Sequence, residues 1–95
     1  MSKLSSSDLA LYRAVDEALH YVWDPIGVSR APEARDEYYS YIPHVFGMVK
    51  DGLNEQAIAD SLGRIATDGM GLSARPEQDL EVARLLLRWK KVLDD

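Results

Sequence analysis

Apolar residues recur at spacings of three and four along most of this chain, a pattern typical of amphipathic helices. The first stripe of this kind covers residues 7–23. Serines at positions 5–7 offer N-caps for this helix, and Asp8 lies in the first turn, where the helix dipole favours a negative charge. No segment alternates apolar and polar residues over a useful length, so the pattern predicts an all-α protein. The apolar members of the first stripe are Leu11, Val15, Ala18, Leu19 and Val22.

Prolines and glycines indicate where the first two helices end. Pro25 ends the first helix, because the residue before a proline is pushed out of the α region. Gly27 can then adopt a positive φ and turn the chain. A second helix is predicted from Pro32 to about Lys50. Pro43 lies inside this segment, so the second helix should be kinked or split near residues 41–42.

Two more helices follow. Asn54 is the expected N-cap of the third helix, and Pro76 is the expected first residue of the fourth. The apolar residues of the fourth helix, at positions 80–93, cover more than one face, so this helix is either central or has a second surface for a partner. The predicted fold is an all-α, compact bundle of four helices. Residues 1–6 are a flexible N-terminus and residues 7–95 a single helical domain.

Composition narrows the class of protein. A chain of 95 residues is large enough for one core without metal or disulfide support. It contains no cysteine, which excludes a disulfide framework and a thiolate metal site and suits the cytoplasm. The net charge of −5 disfavours nucleic acid and acidic membranes as partners, and no apolar run is long enough to span a membrane. A basic partner is the natural electrostatic complement.

One short segment carries residues that constrain a corner. Trp23 falls four residues after Leu19, which predicts that its ring packs inward at the end of the first helix. Asp24 is expected to accept backbone N–H groups from the residues that follow it. Pro25 and Gly27 set the direction of the chain, and Ile26 is expected to return to the core. We interpret these five residues as a structural corner; they are Trp23, Asp24, Pro25, Ile26 and Gly27.

Three tyrosines in four residues follow two acidic residues, and they cannot all face the core of one helix. Tyr38 and Tyr41 are candidates for hydrogen bonds back to Asp24 or Asp36. The remaining ring is an anchor for a partner, since tyrosine is enriched at binding hot spots. The candidate partner-contacting residues are Asp36, Glu37, Tyr38, Tyr39, Tyr41 and Trp89.

A catalytic or metal-binding interpretation depends on the two histidines. Imidazole and carboxylate groups together can hold a divalent ion or transfer protons. The chain has no HExxH pattern, and spacings of four between His20 and Asp24 are common by coincidence. No cofactor, metal or catalytic residue is therefore predicted. A metal-binding or hydrolytic enzyme stays an alternative, with the residues His20, Asp24, Asp36, Glu37 and His44.

A second alternative is a nucleic-acid binder. Residues 54–63 look like the opening helix of a helix-turn-helix, with Ala57 and Leu62-Gly63 bracketing the turn. The residues that would form the recognition helix supply a single cation, Arg64, before glycines interrupt them. A core helix explains the segment better.

The corner motif Trp-Asp-Pro-Ile-Gly, followed by Asp36-Glu37-Tyr38, Tyr41 and Pro43, resembles the YugE-like family of small bacterial helical proteins. The resemblance covers residues 21–52 and continues more loosely through the third helix. It implies a compact α-helical domain in the cytoplasm, and it carries no activity, cofactor or catalytic residue to transfer.

These observations favour a small non-catalytic protein-interaction module. One concrete version is an acidic factor that neutralises a basic partner, as immunity proteins and antitoxins do. A homodimer through the leucine-rich C-terminal helix is a further hypothesis, because a second copy is the simplest cover for an exposed apolar face.

Overall fold

Four α-helices and the turns between them make up the residues that the computed structural model describes, 4–94. No strand occurs within these residues, so the predicted all-α bundle is confirmed. Of the predicted flexible N-terminus, residues 1–3 lie outside the described part of the chain, as does residue 95 at the other end. The helices are α1 (Ser6–Glu17), α2 (Ile42–Lys50), α3 (Glu55–Arg64) and α4 (Pro76–Asp94).

Helix α1 is extended by a π-helical segment, Ala18–Trp23. The N–H of Asp24 donates to the carbonyl of Leu19, five residues earlier, at 3.0 Å. Bonds of this kind wind the chain more widely than an α-helix does. Leu19 and Trp23 are therefore both buried, while Val22 is turned outward and is 42% exposed. The prediction that Val22 belongs to the buried stripe was wrong, because it assumed a constant period of 3.6 residues.

The second helix is broken near residues 41–42, as predicted, and it is bent by 30°. Before the break the chain forms only two short 3-10 turns, Pro32–Ala34 and Tyr39–Tyr41. The prediction that the second helix begins at Pro32 was therefore wrong, because α-helical winding starts only at Ile42. Helix α2 follows directly, and the N–H of Ile42 donates to the carbonyl of Tyr39. Pro43 lies in the first turn of α2, where a helix does not need the missing N–H. Pro43 therefore lies at the start of an α-helix, directly after Ile42, and does not interrupt one.

Local capping explains where α3 and α4 begin. The side-chain oxygen of Asn54 accepts the N–H of Ala57 at 2.8 Å, which is the expected N-cap of α3. Helix α3 continues without a turn through Gly63 into a second π-helical segment, Ile65–Gly69. Helix α4 begins at Pro76, as the sequence predicts.

Helix α4 is central in the bundle. It packs against the other three α-helices and against the π-helical segment after α1. Its residues Val82, Ala83 and Leu86 are fully buried, whereas Trp89 is 45% exposed and Val92 is 63% exposed. The surplus of apolar residues in α4 therefore supplies both one side of the core and an apolar outer surface.

Candidate interaction surface

Asp24 holds the corner through which the chain leaves the π-helical segment. Its backbone is left-handed, with a φ of 32°, which is uncommon for a residue other than glycine. Its carboxylate accepts the N–H groups of Gly27 at 3.1 Å, Val28 at 2.8 Å and Ser29 at 3.0 Å. Burial by itself raises the pKa of Asp24, but hydrogen bonds from Val28, Tyr38 and Ser29 outweigh burial and lower the pKa below its ordinary value. The corner therefore depends on an ionised Asp24.

Tyr38 closes the corner from the other side. Its hydroxyl donates to Oδ1 of Asp24 at 2.8 Å and accepts the N–H of Ile26 at 3.0 Å. Its ring is buried against the indole of Trp23, with the ring centroids 5.4 Å apart. Burial raises the pKa of Tyr38 to about 12; the Ile26 N–H opposes this rise and the Asp24 carboxylate adds to it. The side chain of Ile26 is 43% exposed, so the expectation that it returns to the core was wrong.

The indole of Trp23 joins this corner to the start of α4. Its Nε1 donates to Oδ1 of Asp79 at 2.9 Å, and both side chains are buried. Arg75 donates to the carbonyl of Trp23, and Gln78 donates to the carbonyl of Val22. These two bonds satisfy carbonyls that the end of a helix leaves without partners. No local pattern predicts the contact between Trp23 and Asp79, because 56 residues separate them.

Substituting Asp79 with asparagine should change how stability depends on pH. Burial raises the pKa of Asp79, and the Trp23 hydrogen bond and the Arg75 charge offset this rise only in part. The folded state therefore binds a proton more tightly than the unfolded state, so the wild type loses stability as pH rises from the ordinary pKa through the raised one. Asparagine keeps an oxygen acceptor for the indole and carries no charge. In thermal melts between about pH 3.5 and 7.5, Asp79→Asn should gain stability relative to wild type as pH increases.

Asp79→Ala is the comparison for this experiment. Alanine leaves the indole of Trp23 without an acceptor, so it should destabilise the protein at every pH. A difference between Asp79→Asn and wild type that stays constant over the same pH range would contradict the prediction.

The residues of the catalytic and metal-binding alternative lie in separate environments. The carboxylate of Asp24 is engaged at the corner, and His20 is buried with its Nδ1 lacking a hydrogen-bond partner. His44 is exposed, and its Nε2 is 3.1 Å from the hydroxyl of Ser61. Between residues 4 and 93, no three histidine, aspartate or glutamate side chains converge as a set of metal ligands.

The helix-turn-helix alternative requires a turn at Leu62-Gly63. The chain is helical through these residues, from Glu55 to Gly69. Leu62 is fully buried in the core, as expected for a structural helix. Residues 64–69 therefore continue the same helix and do not form a separate recognition helix, and the next helix, α4, begins only at Pro76.

The residues predicted to contact a partner are divided between the core and the surface. Tyr38 is buried at the corner, and Tyr41 is partly buried against the core. The hydroxyl of Tyr38 bonds to Asp24, as one of the predicted alternatives has it. The members of the set that remain on the surface are Asp36, Glu37, Tyr39 and Trp89.

Two exposed tyrosine rings are joined through an arginine. The guanidinium of Arg35 lies 5.4 Å from the ring centroid of Tyr21 and 5.9 Å from that of Tyr39. The carboxylate of Asp16 accepts hydrogen bonds from Nη1 and Nη2 of Arg35, at 2.8 and 3.0 Å, and this hydrogen bonding raises the pKa of Arg35. A bidentate pair of this kind gives Arg35 a defined orientation, so Tyr21 and Tyr39 form one ordered aromatic surface.

An apolar groove of about 440 Å³ lies between α1 and α4, and Tyr21 forms one of its walls. Trp89, which lies on α4, is half-exposed and lines the same groove. On the α1 side the lining includes three alanines spaced by four residues, which lie on one side of the helix. The groove is lined by Ala10, Arg13, Ala14, Glu17, Ala18, Tyr21, Val22, Leu85, Trp89 and Leu93. We call these residues the aromatic groove.

Sequence reasoning identified Trp89 and Tyr39 as surface residues but missed Tyr21 and the alanines. The spacing of Ala10, Ala14 and Ala18 is a signal that was present in the sequence, because residues four apart lie on one side of a helix. That spacing does not indicate that α4 packs beside this face of α1.

The described residues therefore present one apolar groove bordered by aromatic rings as the candidate interaction surface. From residue 4 to residue 94, no helix is both long and apolar enough to cross a membrane. Comparison of the chain with protein-family models, with curated proteins and with solved structures finds no match.

Proposed function

We propose that this protein is a small, non-catalytic protein-interaction module that receives its partner on the aromatic groove. The observation that carries the proposal is the pair Trp89 and Tyr21, which are 45% and 59% exposed and line one apolar groove. Tryptophan and tyrosine supply much of the binding energy at protein interfaces, because they bury a large area at a low entropy cost. Both are held on helices, so little ordering is required on binding.

The charge of the chain favours a basic partner. Asp36 and Glu37 are exposed next to Tyr39, and the net charge is −5. Opposite charge accelerates the encounter of two proteins and selects between partners. An acidic factor of the immunity or antitoxin type, located in the cytoplasm, fits this combination of a net negative charge and an aromatic groove. Membership of the YugE-like family stays a prediction, supported by the corner motif.

The variant Trp89→Ala should capture its partner much less efficiently than wild type. The full-length chain, carrying an affinity tag, is used as bait in an extract of cells that express it naturally, and stoichiometric proteins are identified by mass spectrometry. Trp89→Ala is expected to recover a partner at least ten-fold less efficiently than wild type, since loss of a hot-spot tryptophan costs about 2 kcal/mol or more.

Leu53→Ala is the matched control for this experiment. Leu53 is 40% exposed but does not line the groove, so its substitution should leave capture unchanged. The second copy of the chain counts as a partner. Recovery of no stoichiometric protein by wild type, or equal recovery by Trp89→Ala, would contradict the proposal.

A further inference from the structure

The α1 side of the aromatic groove matches a second copy of α1 that runs in the opposite direction. Read along α1 and its extension, the lining residues are Ala10, Arg13, Ala14, Glu17 and Tyr21. In two antiparallel helices, residues whose numbers have a constant sum lie opposite each other. A sum of about 30 or 31 places Ala10 opposite Tyr21 of the second copy, so a small residue faces a large one.

The same reversal matches the charges. Arg13 of each copy then lies opposite Glu17 of the other, which gives two identical ion pairs across a two-fold axis. Among the side chains of residues 4–93, neither Arg13 nor Glu17 takes part in an ion pair. Both side chains are exposed at the rim of the groove, where opposite charges from a second protein can approach them.

Helix α4 supplies the second aromatic ring in a favourable position. Gln78 bonds to Val22, and Trp23 bonds to Asp79, so the start of α4 lies at the end of the extended α1. The two helices are therefore antiparallel, and Trp89 lies towards the N-terminal half of α1, away from Tyr21. In a reversed second copy, Trp89 comes to the end of the groove that holds the partner's ring, where two aromatic side chains can pack.

We propose that the occupant of the aromatic groove is a second copy of this chain, bound as a symmetric antiparallel dimer through α1 and α4. This inference rests on the proposed function and names its partner. It replaces the basic partner that the net charge of −5 suggests with a local match of charges, because Arg13 of each copy faces Glu17 of the other. The helix of an unrelated protein would have to present an acid and a base four residues apart, in the reversed order, with an aromatic ring beyond them. The α1 helix of the chain itself presents this combination.

The size of the surface sets the expected strength of the dimer. A symmetric interface made of two helices from each copy is a small one, and small interfaces belong to weak, transient complexes. We therefore expect a dissociation constant in the micromolar range.

Charge reversal in solution tests the dimer. Sedimentation equilibrium of the full chain, from about 1 µM to about 1 mM, should show a concentration-dependent dimer. Arg13→Glu and Glu17→Arg should each weaken it about ten-fold, because two attractive pairs become repulsive. The double variant restores both pairs and should return to within about three-fold of wild type.

Glu33→Arg is the control, since it changes the net charge by the same amount as Glu17→Arg at an exposed position outside the groove. It should leave the dimer unchanged. A wild type that is monomeric at all concentrations would overturn the dimer. Single variants that dimerise as well as wild type would overturn the proposed antiparallel arrangement. If the chain is monomeric but still captures another protein in a Trp89-dependent way, the proposed function stands and only the identity of the occupant is wrong.

Discussion

Replacing Trp23 with alanine should lower the free energy of unfolding by about 4 kcal/mol, the largest loss expected for any single substitution in this chain. Trp23 is 1% exposed and is the largest of the fully buried side chains. Its removal leaves a cavity between the corner and α4. It also leaves the buried carboxylate of Asp79 without its hydrogen-bond donor. Chemical denaturation followed by far-ultraviolet circular dichroism measures the loss without depending on tryptophan fluorescence.

Trp89→Ala is the matched control, because it removes the same side chain from a half-exposed position. It should cost about 1 kcal/mol. A domain of this size is stable by about 5–15 kcal/mol, so the loss expected for Trp23→Ala approaches the lower limit of this range. Trp23→Phe is the milder variant, which should stay folded. Phenylalanine keeps a ring but lacks the N–H, and it should cost about 2 kcal/mol. Equal losses for Trp23→Ala and Trp89→Ala would contradict the role of Trp23 as the link between the corner and α4.

Replacing Asp24 with alanine should cost about 3 kcal/mol, the second largest effect. Three backbone N–H groups and the Tyr38 hydroxyl lose their acceptor. Alanine is also less tolerant of the left-handed backbone at this position. Asparagine accepts that backbone and keeps one acceptor oxygen, so Asp24→Asn should cost about half as much. Asp51→Ala is the control in another turn, where φ is negative, and it should change stability by less than about 0.5 kcal/mol.

The contribution of Asp24 should depend on pH with a sign opposite to that of Asp79. Its pKa is lowered in the folded state, so the stabilisation is complete above the ordinary value of 3.8 and is lost as pH falls through the folded value. The difference in unfolding free energy between wild type and Asp24→Ala should therefore be constant near neutral pH and should shrink in acid. A difference that grows as the pH falls would show that the carboxylate is not held in its ionised form.

The corner and the aromatic groove share one piece of backbone. The π-helical segment Ala18–Trp23 buries Leu19 and Trp23 and turns Tyr21 and Val22 outward, where both line the groove. The hydrogen bonds of Trp23 then hold this segment against the start of α4, which fixes the opposite wall. We therefore expect the corner to position the groove, although no corner residue other than Trp23 belongs to the segment that lines it.

The helix ends were predictable because their causes are local. Asn54 caps α3 with its own side chain, and Pro76 begins α4 because its fixed φ suits a first turn. The break before Pro43 has the same kind of cause, since proline cannot donate a helical hydrogen bond. Each of these effects acts within about four residues, which is the range over which a sequence pattern can be read directly.

The candidate site was predictable only in part. Trp89 was identified because α4 has more apolar residues than one buried face can hold, and Tyr39 because three neighbouring tyrosines cannot all be internal. Tyr21 was missed, although it lies outside the apolar stripe of the first helix. Its place in the groove depends on Trp89 of α4, which lies far from it in the chain, and no spacing in the sequence indicates that the two come together.

By itself, then, the sequence determined the all-α class, the starts of α3 and α4, the break before Pro43 and the residues of the corner, because backbone sterics and capping act between near neighbours. Only the tertiary structure decided that Trp23 bonds to Asp79, that Arg35 joins Tyr21 to Tyr39 and that α4 lies beside the alanines of α1. These contacts join residues far apart in the chain, and they form only when the apolar faces of all four helices pack against one another.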